Sequence, residues 1–349
     1  MMKYLPKQPY VRPLGRVIEH EDMLCLGYSC SGITFTFTGT RAELILYSDY
    51  AQRLPGEYGY ASYIGVYEGD QELCRVAPLE EESHFVVWES ETPREVTLNV
   101  MKLTEENPSL VAILGIETDG EPSAPPVPER RIEVVGDSIT CGYGIEHPDD
   151  APGGYKTEYQ NAYEAWGATM ARKLNAEVSI MARSGSGVYS SYSGNDERQT
   201  CDLAKNRYVS RMPRWNSRLG LKLERDDSFA PQAVVINMGT NDASYTKGIP
   251  ERQAQFYEAY YEFLELVRSR NPEAHIFCTL GSLHMTVWDE IVKAAAAFAE
   301  NTGDTRIHTF PLDVAIPEDG SNASCHPTMP TQKRMAEVAA REVGMVMGW

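Results

Sequence analysis

The hydrophobic pattern of the chain changes near residue 120. Before that point, residues 33–49 read Ile-Thr-Phe-Thr-Phe-Thr-Gly-Thr-Arg-Ala-Glu-Leu-Ile-Leu-Tyr-Ser-Asp, two alternating runs on either side of a glycine. Alternation of β-branched and aromatic residues around a Gly turn predicts a β-hairpin. Short strand candidates follow at 60–68, 72–77, 84–88, 95–103 and 110–117, and no amphipathic helix precedes residue 120. Residues 1–124 are therefore expected to form an antiparallel β-sandwich. Next comes a stretch with Pro122, Pro125, Pro126 and Pro128, which favours an extended connector to about residue 130.

From residue 131 to 349 the pattern becomes apolar run, loop and amphipathic helix in repeated alternation. Strands are expected at 132–135, 177–182, 233–238, 274–280 and 305–310, and helices near 161–174, 250–270, 286–300 and 330–347. Such alternation implies a parallel sheet covered by helices on both faces, an α/β fold. Ligands of these sheets sit beyond the carboxyl ends of the strands, so chemistry is sought in the residues just after each strand.

Composition narrows the partners. The 349 residues, 42% hydrophobic, are enough for two buried cores. Lys+Arg 32 against Asp+Glu 50 gives a net charge of −18. That charge repels phosphate backbones and anionic lipids, so neither nucleic acid nor membrane is an expected partner. A neutral, hydroxyl-rich ligand meets no such barrier. The N-terminus lacks the apolar stretch of a secretory leader, which leads to an expectation of a cytoplasmic protein. Seven cysteines without a CxxC pair suggest free thiols rather than a disulfide framework or a zinc site.

Three expected strands are each followed by a residue suited to acyl-transfer chemistry. After 132–135 comes Gly136-Asp137-Ser138, which puts a hydroxyl nucleophile at the carboxyl edge. After 177–182 comes Ser184-Gly185-Ser186, where a glycine can aim its N–H at an oxyanion. After 233–238 comes Gly239-Thr240-Asn241-Asp242, where an amide side chain can do the same. His326-Pro327, just before the last helix, supplies an imidazole. Alone, each is ordinary: Gly-Asp-Ser is a common helix cap, and glycine and asparagine are common loop residues.

Together, in this order, they resemble the SGNH or GDSL hydrolase superfamily: Gly136-Asp137-Ser138, Gly185, Gly239-Thr240-Asn241-Asp242 and His326-Pro327 match four of its blocks. The resemblance covers residues 131–349 and implies a flavodoxin-like three-layer α/β/α domain. It implies Ser138 as nucleophile, His326 as general base, and an oxyanion hole built from the N–H groups of Ser138 and Gly185 and the Asn241 amide. The preceding β-sandwich and Met212-Pro213-Arg214-Trp215 look like carbohydrate esterase family two, which joins a jelly-roll domain to the hydrolase domain and deacetylates plant polysaccharides. The expected substrates are acetylated mannan- or xylan-derived oligosaccharides, and no metal or organic cofactor is implied.

The sequence departs from the superfamily at one position: where an Asp usually stands three residues before the histidine, this chain has Ala323. Nδ1 of His326 still needs an acceptor to fix its tautomer. A main-chain carbonyl in 322–324 is expected to serve, with Asp319 or Glu318 as a more remote acid. Sugar faces stack on aromatic rings, and the candidates near the carboxyl edge are Trp215, Trp288, Tyr189, Tyr192 and Tyr245, with Trp215 and Trp288 foremost. Trp166 sits in an apolar helical stripe and is expected in the core, as are Cys141 and Cys325 as small hydrophobes. The loops 143–160 and 188–230 are expected to set specificity. Two other readings compete: a lipase or thioesterase with a long apolar acyl pocket, and a non-catalytic carbohydrate-binding protein.

Overall fold

Two sheets of opposite character meet at the proline-rich connector. The computed structural model describes all residues except 53–59, 107, 149–154, 202–206, 211 and 323–324. The first half contributes β1 (Met2–Tyr4), β2 (Arg12–Leu14), β3 (Val17–His20), β4 (Met23–Leu26), β5 (Gly32–Ser48), β6 (Ile64–Glu68), β7 (Gln71–Val76), β8 (Glu82–Lys102) and β9 (Val111–Thr118). Among the described residues they form one antiparallel sheet in the order β3-β4-β9-β5-β8-β6-β7, with β1 beside β9 and β2 beside β5. It curls around a core that includes Phe35, Phe37, Leu44, Leu46, Trp88 and Leu98.

The expected hairpin at 33–49 is not there. Its two runs form the single strand β5, and the candidates at 84–88 and 95–103 likewise merge into β8. Gly39 marks a slip of register between β5 and β8 rather than a reversal. At this bulge the Asp119 carboxylate accepts the N–H groups of Thr40 (2.9 Å) and Arg41 (3.2 Å) and the Thr40 hydroxyl (2.6 Å). It thereby satisfies backbone groups at the bulge, where the ladder is interrupted. Ser123 and Ala124 still bond to Thr36 and Pro9 of the first half, and the second sheet begins at Arg130.

The second half runs β10 (Arg130–Gly136), α1 (Trp166–Lys173), β11 (Ala176–Ala182), α2 (Pro213–Leu219), β12 (Ala233–Asn237), α3 (Thr240–Thr246), α4 (Pro250–Arg270), β13 (His275–Leu280), α5 (Trp288–Thr302), β14 (Ile307–Pro311) and α6 (Met329–Met347). The strands are all parallel, in the order β11-β10-β12-β13-β14. Alternate strand residues serve opposite faces. Val134, Val235 and Phe277 pack under α1 and α6, whereas Val135, Val234, Ile236 and Cys278 pack under α4 and α5. Both faces are covered, so the strands read as continuous apolar runs. Fully burying each such side chain contributes roughly 1.5–3 kcal/mol. In chain order the strands lie 2-1-3-4-5, the doubly wound arrangement whose crevice opens between the first and third strands, here β10 and β12.

The two halves share buried surface. Ile18, Cys25 and Tyr28 of the first half join the cluster under α4 and α5, and Leu103 joins the one under α1 and α6. Arg16 of the first half reaches Glu133 on β10 at 2.8 Å, and Glu133 also takes the Tyr208 hydroxyl (2.9 Å) and Arg225 (3.1 Å). Among the described residues no helix is long and apolar enough to cross a membrane.

Candidate active site

Ser138 lies two residues beyond β10, at the mouth of the crevice. Its loop is packed tightly from below: a Cβ on Gly136 would meet Thr140 Oγ1 at 2.0 Å, so only glycine fits there. Thr140 in turn accepts the Trp166 indole N–H at 3.2 Å, and Gln332 of α6 donates to the Ile139 carbonyl at 2.9 Å. Trp166 is fully buried, so its indole braces the nucleophile loop from the core. Ser138 is 5% exposed, and its Oγ stands 2.7 Å from His326 Nε2. The structure thus brings together two residues 188 positions apart, at the distance of a nucleophile and its base.

Gly185 and Asn241 occupy the neighbouring strand ends. Gly185 has φ +77°, a conformation that favours glycine, and the space around its missing Cβ is empty to 4 Å. The N–H groups of Ser138 and Gly185 have no hydrogen-bond partner among the described residues. Asn241, on the first turn of α3, donates its amide to the Ser186 carbonyl at 2.8 Å and to Asp137 Oδ2 at 3.1 Å. Both of its protons therefore already have acceptors, and an oxyanion must share one of them.

Two buried aspartates tie these loops together. Asp137 accepts the Ile139 N–H (3.0 Å) as well as the Asn241 amide. Burial, with the Asp242 carboxylate adding to it, pushes its pKa up to about 7. Asp242 accepts the N–H groups of Val188, Tyr189 and Ser190 at 3.0, 2.7 and 2.8 Å, while burial pushes it up to about 6. Each carboxylate thus takes donors from another of the strand-end segments, Asp137 from Asn241 and Asp242 from residues 188–190.

The groups expected to orient His326 are only partly among the described residues. Asp319 is spent on α6, where it accepts the Thr331 hydroxyl at 2.7 Å and pairs with Arg334, and Glu318 is exposed. Of the expected carbonyl acceptors, those of 323 and 324 lie outside the described residues, as does Ala323. The Asn322 carbonyl accepts the Cys325 N–H at 3.0 Å, and the Asn322 N–H donates to the His326 carbonyl at 2.9 Å. One neighbour was not anticipated: the Tyr143 ring lies 4.5 Å from the imidazole, tilted by 32°, and is itself stacked on Tyr155 at 3.7 Å. Tyr143 stands only five residues after Ser138, yet nothing in its local sequence signals that it meets His326.

The aromatic candidates separate. Trp215 is 1% exposed; its indole N–H donates to the Leu26 carbonyl at 2.8 Å and its ring lies beside Tyr47. It seals the contact between the two halves and offers no face to a sugar, contrary to expectation. Trp288 opens α5 beyond the carboxyl end of β13, half-buried against the core cluster. Tyr189 is half-buried, with its hydroxyl on Gln255 and its ring under Arg198, and it neighbours Tyr245. Tyr192 is 64% exposed, and its N–H bonds to the Gly185 carbonyl at 2.8 Å, which makes it the candidate aromatic tied to the Gly185 loop. Cys141 is buried, but Cys325 is exposed and is not the core hydrophobe expected. Parts of both expected specificity loops, 149–154, 202–206 and 211, lie outside the described residues.

Comparison with known proteins gives concordant matches. Residues 134–330 match the model of the GDSL-like lipase/acylhydrolase family. The cellulase/esterase CelE of Acetivibrio thermocellus is 30% identical over 276 residues, which are 76% of this chain and 30% of that protein. An acetylxylan esterase / glucomannan deacetylase of Cellvibrio japonicus is 28% identical over 65% of this chain and 60% of its own length. The chain thus spans less than two thirds of these curated relatives. A family two carbohydrate esterase from Clostridium thermocellum, solved in complex with cellohexaose, has a TM-score of 0.85 at 26% identity, covering 97% of this chain and 99% of that one.

Proposed function

Because the chain belongs to the GDSL-like lipase/acylhydrolase family, we propose that it is a carboxylic ester hydrolase that removes O-acetyl groups from carbohydrates, with acetylated mannan- or xylan-derived oligosaccharides as substrates. The observation that carries the reading is the 2.7 Å approach of Ser138 Oγ and His326 Nε2, together with two backbone N–H groups, of Ser138 and Gly185, that have no partner among the described residues. Its carbohydrate side is supported by the likeness, across both halves of the chain, to an esterase solved with cellohexaose, and by the acetylxylan esterase among the relatives.

In this mechanism His326 Nε2 takes the Ser138 proton while Oγ attacks the acetyl carbonyl. The electron pair of the C=O bond moves onto oxygen, which the N–H groups of Ser138 and Gly185 and the Asn241 amide hold. Collapse of this intermediate breaks the bond to the sugar oxygen, which leaves with the proton from His326. Water, deprotonated by the same imidazole, then releases acetate from Ser138.

The test is hydrolysis of 4-nitrophenyl acetate and of chemically acetylated manno- and xylo-oligosaccharides by the wild type and by Ser138→Ala. Activity confined to the wild type, falling as the acyl chain lengthens, is the expected result. A rate that rises toward octanoyl esters would instead identify a lipase. Oligosaccharide binding by calorimetry without any hydrolysis would sink the enzymatic reading.

A further inference from the structure

The hydrogen-bonding of the Gly185 loop is asymmetric. On its C-terminal side the loop is held by its own half of the molecule: Asn241 takes the Ser186 carbonyl and Asp242 takes three successive N–H groups from Val188 to Ser190. On its N-terminal side, at Ser184, the partner comes from the other half. Glu105, three residues beyond β8, accepts the Ser184 N–H on Oε2 at 2.8 Å and the Ser184 hydroxyl on Oε1 at 2.5 Å. Glu105 is 4% exposed and Ser184 half-buried.

Glu105 is itself held in place. Lys102, also buried, donates to the carbonyls of Thr104 (3.1 Å) and Glu105. Leu103 accepts the Ala162 N–H at 3.0 Å, and Glu106 takes the Arg214 N–H at 3.0 Å and the Arg207 guanidinium. Residues 102–106 are therefore a tongue of the first half, locked into the second and ending on the residue before Gly185. Gly185 has no side chain, and apart from its chain neighbours no atom of the described residues lies within 4 Å of where one would be. Its peptide is held by hydrogen bonds instead: its own carbonyl accepts the Tyr192 N–H at 2.8 Å, and its neighbours Ser184 and Ser186 are tied to Glu105 and Asn241.

We propose that Glu105 is a positioning residue for the hydrolysis, orienting the Gly185 N–H toward the oxyanion through its two-point hold on Ser184. The jelly-roll half then completes the active site, whatever else it binds. This inference rests on the esterase reading above. A fully lost oxyanion donor costs about 10²–10³ in rate, and a misdirected one less, so Glu105→Ala is expected to lower kcat about 10–100-fold with KM little changed. Glu105→Gln keeps an acceptor for the Ser184 N–H and offers its own N–H to the hydroxyl oxygen, so it is expected to restore the rate to within about threefold of wild type. Ser184→Ala, which leaves Glu105 in place and removes one of its two bonds, is expected to fall between them.

The experiment measures kcat and KM on 4-nitrophenyl acetate, together with the rate at which an alkyl fluorophosphonate labels Ser138. In labelling, the Ser138 proton passes to His326, Oγ bonds to phosphorus, fluoride leaves, and the phosphoryl oxygen occupies the same hole. Both rates are expected to follow the order wild type, Glu105→Gln, Ser184→Ala, Glu105→Ala. A folded Glu105→Ala that hydrolyses and labels like the wild type overturns the inference and leaves the esterase reading standing. Equal loss in Glu105→Gln and Glu105→Ala, in step with a falling melting temperature, overturns it too, because it means the carboxylate only holds the halves together. Should Glu105→Ala fail to fold, an undiminished rate in Ser184→Ala does the same. A wild type that neither hydrolyses nor labels takes the esterase reading down with it.

Discussion

Replacing Asn241 by alanine should separate two effects that the structure joins in one amide. The side chain is buried, and its nitrogen bonds to the Ser186 carbonyl at 2.8 Å and to Asp137 Oδ2 at 3.1 Å. The shorter bond fixes the amide plane; the proton on the longer one is the more easily drawn toward an oxyanion. Loss of that donor is expected to lower kcat about 10²–10³-fold, or about 2.7–4 kcal/mol of transition-state stabilisation. KM should hardly move, because the contact strengthens only once charge develops. Independently, two buried acceptors lose their donor, at about 1–3 kcal/mol each, so the melting temperature should fall as well. Asn241→Asp keeps the shape but turns a donor into an acceptor facing a carbonyl and a carboxylate, and it should be worse than alanine on both counts. The assay is steady-state hydrolysis of 4-nitrophenyl acetate alongside thermal unfolding. A folded Asn241→Ala variant within about threefold of the wild-type kcat would show that the two backbone N–H groups suffice, refuting a three-donor hole.

Two further outcomes follow from burial. Trp215→Ala should cost about 3–5 kcal/mol of stability, by opening a cavity where the halves meet and stranding the Leu26 carbonyl, and should leave KM for acetylated oligosaccharides alone; a raised KM with unchanged melting would restore a sugar-stacking role. Asp137, pushed up to about 7 by burial, binds its proton more tightly in the folded state than in the unfolded chain, so the stability it contributes is full below the ordinary carboxylate range and is lost as pH rises through about 7. The melting temperature of the wild type minus that of Asp137→Asn should therefore decline between about pH 4 and about pH 8, and a flat or rising difference would contradict the burial argument.

What the sequence makes legible follows from how locally each feature is determined. The parallel sheet was readable because strands covered on both faces are continuous apolar runs: the run expected at 233–238 is β12 at Ala233–Asn237, and the helix expected at 250–270 is α4 with those bounds. The placement of the nucleophile and oxyanion candidates was readable for a related reason: topology puts each just beyond the carboxyl end of its strand, whatever the packing elsewhere. Features set by contacts distant in sequence were not readable. Gly39 looks like a turn, and only its pairing with β8 and the Asp119 carboxylate, 79 residues beyond Thr40, show it to be a bulge in one long strand. Trp215 looks like a surface aromatic until Leu26, 189 residues earlier, accepts its N–H. Distance in sequence also hid Tyr143 against His326 and Glu105 against Ser184, one contact at the candidate base and the other beside Gly185. Family blocks therefore mark the candidate reacting groups, while several contacts around them come from elsewhere in the chain and, for Ser184, from the other half of the molecule.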